Sequence, residues 1–202
     1  MSNPKTKKAE PDKLNLQTYT GSFISPERVV AQWGIGAGDK VADLGCGGGF
    51  FTLPLARLVG EKGRVYAADV MSVPLEAVKS KAYIEKLNNI IIIRADLEKK
   101  NSLADWIKDS ECQLVFLANI ICTAAKKKTI LGEAKRILAP RGKLIVVEWS
   151  KNVADAFRNF GPPIEMRFSE KEVKSLVTKA GFKFEDNFET GEFHFGMEFR
   201  KK

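Results

Sequence analysis

At 202 residues, 44% hydrophobic and 29% charged, the chain can bury one full core and needs no second domain. No apolar run is long enough to span a bilayer, and the opening MSNPKTKKAEPDK lacks the apolar segment of a secretory signal. Three cysteines without metal-ligand spacing and a single histidine argue against a metal site and fit a reducing, cytoplasmic setting.

The net charge of +8 invites a nucleic-acid partner. The excess, however, is spread over the N-terminal lysines, AAKKK at 124–128 and the final RKK, with no aromatics interleaved to stack bases. Solvated surface charge is the preferred reading.

Residues 1–18 are polar, carry Pro4 and Pro11, and read as a disordered basic tail, leaving 19–202 as one domain. SPERVVAQWG predicts a helix with Ser25 as N-cap, Pro26 at the first position and Gly34 as its stop. KVADLG is a first strand, and FFTLPLARLVG a helix with Pro54 near its start. The alternation repeats: strand 63–70; helix 73–88 with Leu75, Val78, Ala82 and Leu87 inward; strand 89–96; a short helix near SLADWIKD. Strand 113–120 follows, then a helix with Ile130, Leu131, Ala134, Ile137 and Leu138 on one face, then strand 143–149 after APRG. Strands apolar throughout, such as IIII and LVFLA, are covered on both faces, so a parallel sheet wrapped by helices is expected. The ending breaks the rhythm. SEKEVKSLVTKAG is a helix with Ser169 and Glu172 spaced as a capping box, and FKFEDNFE and EFHFGMEFR are separated only by Thr190 and Gly191. Two residues cannot hold a crossover, so these last strands are antiparallel.

VADLGCGGGF, residues 41–50, places Gly45, Gly47, Gly48 and Gly49 just behind Asp43. Glycines give up conformational entropy, so this many together signal a close approach to the backbone. A dinucleotide fingerprint would need a third glycine at position 50, which is Phe50; the spacing is Gly45-x-Gly47-x-Gly49. Asp43 would repel a pyrophosphate but suits an ammonium or sulfonium. Asp69 ends the second strand, where a carboxylate can accept both hydroxyls of a ribose; Asp96 ends the third, where it can accept from an adenine amine. An adenosine with a cationic, phosphate-free tail fits these groups, and S-adenosylmethionine is such a molecule.

VADLGCGGGF, VYAADV, IRADL, LVFLANI and LAPRGKLIVVEW, in that order, resemble the class I S-adenosylmethionine-dependent methyltransferases over residues 23–202. The resemblance implies an α/β Rossmann-like three-layer sandwich with a seven-stranded, mostly parallel sheet of order 3-2-1-4-5-7-6 and an antiparallel strand 7. It implies cofactor contacts at Asp43, Gly45, Cys46, Gly47, Gly49, Asp69, Val70, Asp96, Leu97 and Asn119. The acceptor then lies over strands 4 and 5, near Asn119, Ile120, Cys122, Glu148 and Trp149, with NVADAFRNFGPPIEMRF as a wall. Because strand 7 runs backwards, His194 reaches the same rim. Glu148 and His194 are the candidate bases, set against a strand-end carboxylate paired with a surface lysine and a histidine packed on its strand. Arg167 reads as the flank of a helix start rather than an anion clamp.

NIICTA lacks the Asn/Asp-Pro-Pro-aromatic signature of amino-group methyltransferases, and Cys122 lacks the preceding proline of cytosine-C5 enzymes. LAPRGKLIVVEWS, FGPPIEMRFSEKEVKSLVTKAGF and GEFHFGMEF resemble the ubiquinone/menaquinone-biosynthesis-type methyltransferases, which implies a small organic acceptor methylated at carbon or oxygen. The competing readings are an enzyme modifying RNA or protein, with the basic tail as docking arm, and a protein that binds the cofactor without catalysis.

Overall fold

The computed structural model describes residues 25–153 and 160–202, so the tail reading of 1–18 and part of the predicted wall lie outside the described residues. The sheet comprises β1 (Lys40–Leu44), β2 (Arg64–Asp69), β3 (Ile90–Arg94), β4 (Cys112–Ala118), β5 (Leu138–Trp149), β6 (Phe182–Phe188) and β7 (His194–Lys201). Their order is 3-2-1-4-5-7-6, and β7 alone runs against its neighbours β5 and β6. The described helices are α1 (Pro26–Val30), α2 (Thr52–Val59), α3 (Ser72–Ile84), α4 (Lys127–Ile137) and α5 (Glu170–Lys179). None is long and apolar enough to cross a membrane.

Strand residues alternate between two apolar layers, as the pleat requires. Val41, Phe116, Ile145 and Val147 pack with Val29 and Val30 of α1 and Leu55 of α2, and Ala67 packs with Leu75 and Val78 of α3. The opposite parity, including Leu44, Leu117, Val146 and Met197, packs with Ile130 and Leu131 of α4 and Val173 and Val177 of α5. Parallel strands joined by such crossovers bring the loops after β1 to β5 to one edge of the sheet.

Ser25 stands at the N-cap of α1 but makes no side-chain cap bond, and Gly34 ends the following 3₁₀ turn at φ 63°. The Ser169–Glu172 capping box of α5 is complete. Four expectations need correction. The segment SLADWIKD is a set of turns, with one i→i+4 bond from Ile107 to Leu103. The Glu133 carboxylate takes the Leu103 N–H and Arg136 donates to the Ile107 carbonyl, so side chains of α4 fasten this segment at both ends. Helix α3 stops at Ile84 rather than 88, because Lys86 turns left-handed (φ 57°) and its N–H donates to the Tyr83 carbonyl while Leu87 donates to Ala82. That is a Schellman stop without its usual glycine. Leu138 belongs to β5, paired with Cys112 across a register shift. Finally, the β6–β7 loop spans 189–193: the Phe188 ring lies over Gly196, and the Phe193 carbonyl has already turned to Ser150 N–H.

Candidate active site

The glycine loop leaves β1 with its backbone hooked onto β2, since the Gly45 and Cys46 N–H groups both donate to the Ala68 carbonyl (2.7 and 3.0 Å). Gly45, Gly47 and Gly49 all have positive φ (80°, 50° and 82°), a region that L side chains disfavour. They differ in what faces them. A Cβ on Gly45 would lie 2.1 Å from Ile120 Cδ1, one on Gly49 would lie 3.0 Å from Val78, and one on Gly47 would meet nothing within 4 Å. Gly45 and Gly49 thus admit protein, and Gly47 opens onto free space.

Asp69 spans this loop and the next, its Oδ2 accepting from Gly47 N–H and its Oδ1 from Met71 N–H, both at 2.9 Å. Each oxygen keeps a lone-pair direction for a further donor. Asp96 accepts from Glu98 N–H through Oδ1, and its Oδ2 is 3.8 Å from Lys99 Nζ. Asp43 is buried, and its Oδ2 accepts from Thr52 Oγ1 at 2.6 Å. Burial raises its carboxyl to about 7, with the Thr52 hydrogen bond pulling down and the Asp69 charge pushing up. The thiol of Cys46 is turned into the packing of α3 and is held protonated by burial.

A cavity of about 180 Å³ lies over these strand ends, lined by Gly45, Asp69, Val70, Asp96, Leu97 and Ile120, with Thr123, Ala124 and Ile130 behind. Acceptor carboxyls of Asp69 at the end of β2 and Asp96 after β3, with apolar walls at Val70, Leu97 and Ile120, line this cavity and suit the hydroxyls, amine and ring of a nucleoside, so the residues fit S-adenosylmethionine.

On the far side, Trp149 and His194 are register partners across β5 and β7, with ring centroids 4.1 Å apart. Among the described residues neither His194 nitrogen has a hydrogen-bond partner, and burial beside the Arg167 charge lowers the imidazole to about 4. His194 also lines a cavity of about 430 Å³ with Phe188, Glu189 and Thr190. Asn119 adopts φ 58° and keeps a buried, unpartnered Oδ1. Glu148 has no surface lysine partner. It is fully buried, points into the opposite layer from Trp149 and His194, and accepts from Ile121 N–H at 2.6 Å. Desolvation raises its carboxyl, opposed by the Cys122 thiol and the N–H groups of residues 120–122. The two candidate bases therefore sit on different faces of the sheet.

Arg167 is no helix flank. It is buried and donates to the carbonyls of Pro162 (2.9 Å), Ser150 (2.8 Å) and Phe160, with its guanidinium 5.3 Å from the Trp149 ring centre. Sequence reasoning also missed Thr52, Ile120 as a wall, Lys81 Nζ on the Gly48 carbonyl (2.8 Å) and Glu98, which accepts from Ala125 and Lys126 N–H. Thr52 could have been suspected from its place in the first turn of α2; nothing local marks the others.

A family described as a methyltransferase domain matches residues 35–181. The chain belongs to that methyltransferase family. It is 27% identical over 176 residues to the ubiquinone/menaquinone biosynthesis C-methyltransferase UbiE of Azotobacter vinelandii, covering 74% of this chain and 68% of the relative. The UbiE protein of Pseudoalteromonas translucida is 26% identical over 202 residues, covering 86% and 78%. A solved SAM-dependent methyltransferase from Aquifex aeolicus superposes with a TM-score of 0.80 at 28% identity, covering 96% of this chain and all of that one. The protein is thus an S-adenosylmethionine-dependent methyltransferase.

Proposed function

We propose that this methyltransferase alkylates a small organic acceptor at a carbon or oxygen nucleophile, in a corner walled by Trp149 and His194. The observation that carries the reading is the His194 ring. Among the described residues neither ring nitrogen has a hydrogen-bond partner, a cost of about 1–3 kcal/mol for each unmet group, and a ligand hydroxyl or enol reaching the ring from the adjoining cavity would relieve it. The adjoining cavity of about 430 Å³ suits a small molecule rather than a polymer. The relatives named for C-methylation in ubiquinone/menaquinone biosynthesis favour a carbon acceptor of that kind.

S-adenosylmethionine supplies a sulfonium methyl open to in-line displacement. The chain's own residues do the rest. Asp69 and Asp96 would hold the nucleoside through hydroxyl and amine hydrogen bonds, and Asp43, bonded to Thr52, fixes the start of α2 behind the glycine loop. Trp149 and the 160–168 segment laced by Arg167 exclude water from the transfer. The neutral His194 accepts a hydrogen bond from the acceptor and orients its nucleophilic atom for attack; an imidazole lowered to about 4 is a weak base, so the proton passes on to solvent. Three buried, free cysteines support work in a reducing, cytoplasmic compartment.

Incubation of the protein with methyl-labelled S-adenosylmethionine and fractionated cell extract tests the reading. Label should follow the lipid and small-molecule fractions, and the H194Q variant should lose about two orders of magnitude in rate with unchanged cofactor affinity. Label recovered in RNA or protein would replace this acceptor class.

A further inference from the structure

We infer that Glu148 is a positioning residue for the cofactor, holding Ile120 as a wall over Gly45 through the loop that follows β4. The inference deepens the cofactor-site reading and is independent of which acceptor is used.

The loop leaves β4 through the left-handed Asn119, whose N–H donates to Val147 of β5 at 2.8 Å. Its next residue, Ile120, crosses above the first loop glycine so closely that only a residue without Cβ fits beneath. Ile120, Thr123 and Ala124 from this loop all line the cavity bounded by Gly45, Asp69 and Asp96. The loop is thus one wall of the cofactor crevice, and its placement sets the crevice width.

Two carboxyl groups hold that wall. At its far end, Glu98 takes the Ala125 and Lys126 N–H groups at 2.9 and 3.2 Å. At its near end, Glu148 takes Ile121 N–H at 2.6 Å from beneath. Glu148 is wholly buried; desolvation raises its carboxyl, while the Cys122 thiol and the N–H groups of residues 120–122 gathered around it pull the other way, so the groups that answer the carboxyl all belong to this loop. The side chain faces away from the Trp149–His194 corner, so a proton on an acceptor there has no direct route to it. Its reach into the reaction runs through Ile121 and Ile120.

Calorimetric titration of the full chain with S-adenosylhomocysteine, alongside thermal melting, tests this. E148Q keeps a carbonyl oxygen for Ile121 and should retain affinity to within about threefold, while E148A should lose roughly tenfold. I120A should lose roughly as much by removing the wall itself. If Glu148 works through Ile120, the E148A/I120A double variant should be little worse than either single variant. Multiplied losses would overturn the inference, as would wild-type affinity in E148A or a collapse of binding in E148Q. Should E148A fail to fold, I120A decides: unchanged or tighter binding removes the wall and the inference with it, and a tenfold loss alongside an intact E148Q sustains both.

Discussion

Asp43 and His194 are buried at the same edge of the sheet, and burial has moved them oppositely because it favours whichever form is neutral. Asp43 rises from 3.8 to about 7, so its contribution to stability is full below about pH 4 and is lost as pH climbs to 7. His194 falls from 6.5 to about 4, so its contribution is full above 6.5 and is lost as pH drops to 4. Between those limits the two slopes oppose, each near 1.4 kcal/mol per pH unit, and Glu148, also raised, acts in the same sense as Asp43. Urea unfolding of H194F between pH 4.5 and 6 should therefore show stability falling more steeply with pH than in wild type. D43N, which keeps an acceptor for Thr52, should shift the slope the other way. Parallel curves for H194F and wild type would mean that the imidazole is not held neutral.

The glycine loop shows how one element meets two demands. Gly45 is confined by Ile120 and Gly49 by Val78, while Gly47 faces nothing in the protein. G45A should therefore lower both melting temperature and S-adenosylhomocysteine affinity. G47A should cost only the strain of a left-handed alanine, about 1 kcal/mol, yet weaken the ligand roughly tenfold if the open space belongs to it. Wild-type affinity in G47A would move the ligand away from this peptide. The same scale shows where local patterns mislead. Helix α3 ends on a left-handed lysine instead of a glycine, and the turns at 101–107 carry apolar spacing but are fastened by Glu133 and Arg136. The first outcome is a local stop that needs no glycine; the second depends on partners distant in the chain.

For the molecule as a whole, the reversed direction of β7 is the decisive feature. It lets β7 lie between β5 and β6 and brings the His194 ring centroid to 4.1 Å from that of Trp149, though the two are far apart in sequence. The basic tail of 1–18 is tested by its deletion. Removal of residues 1–18 should leave turnover on a small acceptor within about twofold and its salt dependence unchanged. An RNA substrate would instead be lost, with a flattened salt response, because phosphate contacts release counterions.

Much of this was legible from one dimension. The period of apolar residues, the capping box and the acidic residues at three strand ends are local patterns; they determined the alternation of strands and helices and pointed to the cofactor class, while the sheet order followed from the resemblance of the motifs to a known family. The roles of Glu148, Arg167, Thr52 and Ile120 were decided by tertiary structure alone. Each depends on which face of a strand a side chain leaves and on which backbone groups lie across from it. A buried carboxyl and a surface one are written with the same letter, and only the packing around Glu148 distinguishes a proton acceptor from a clasp.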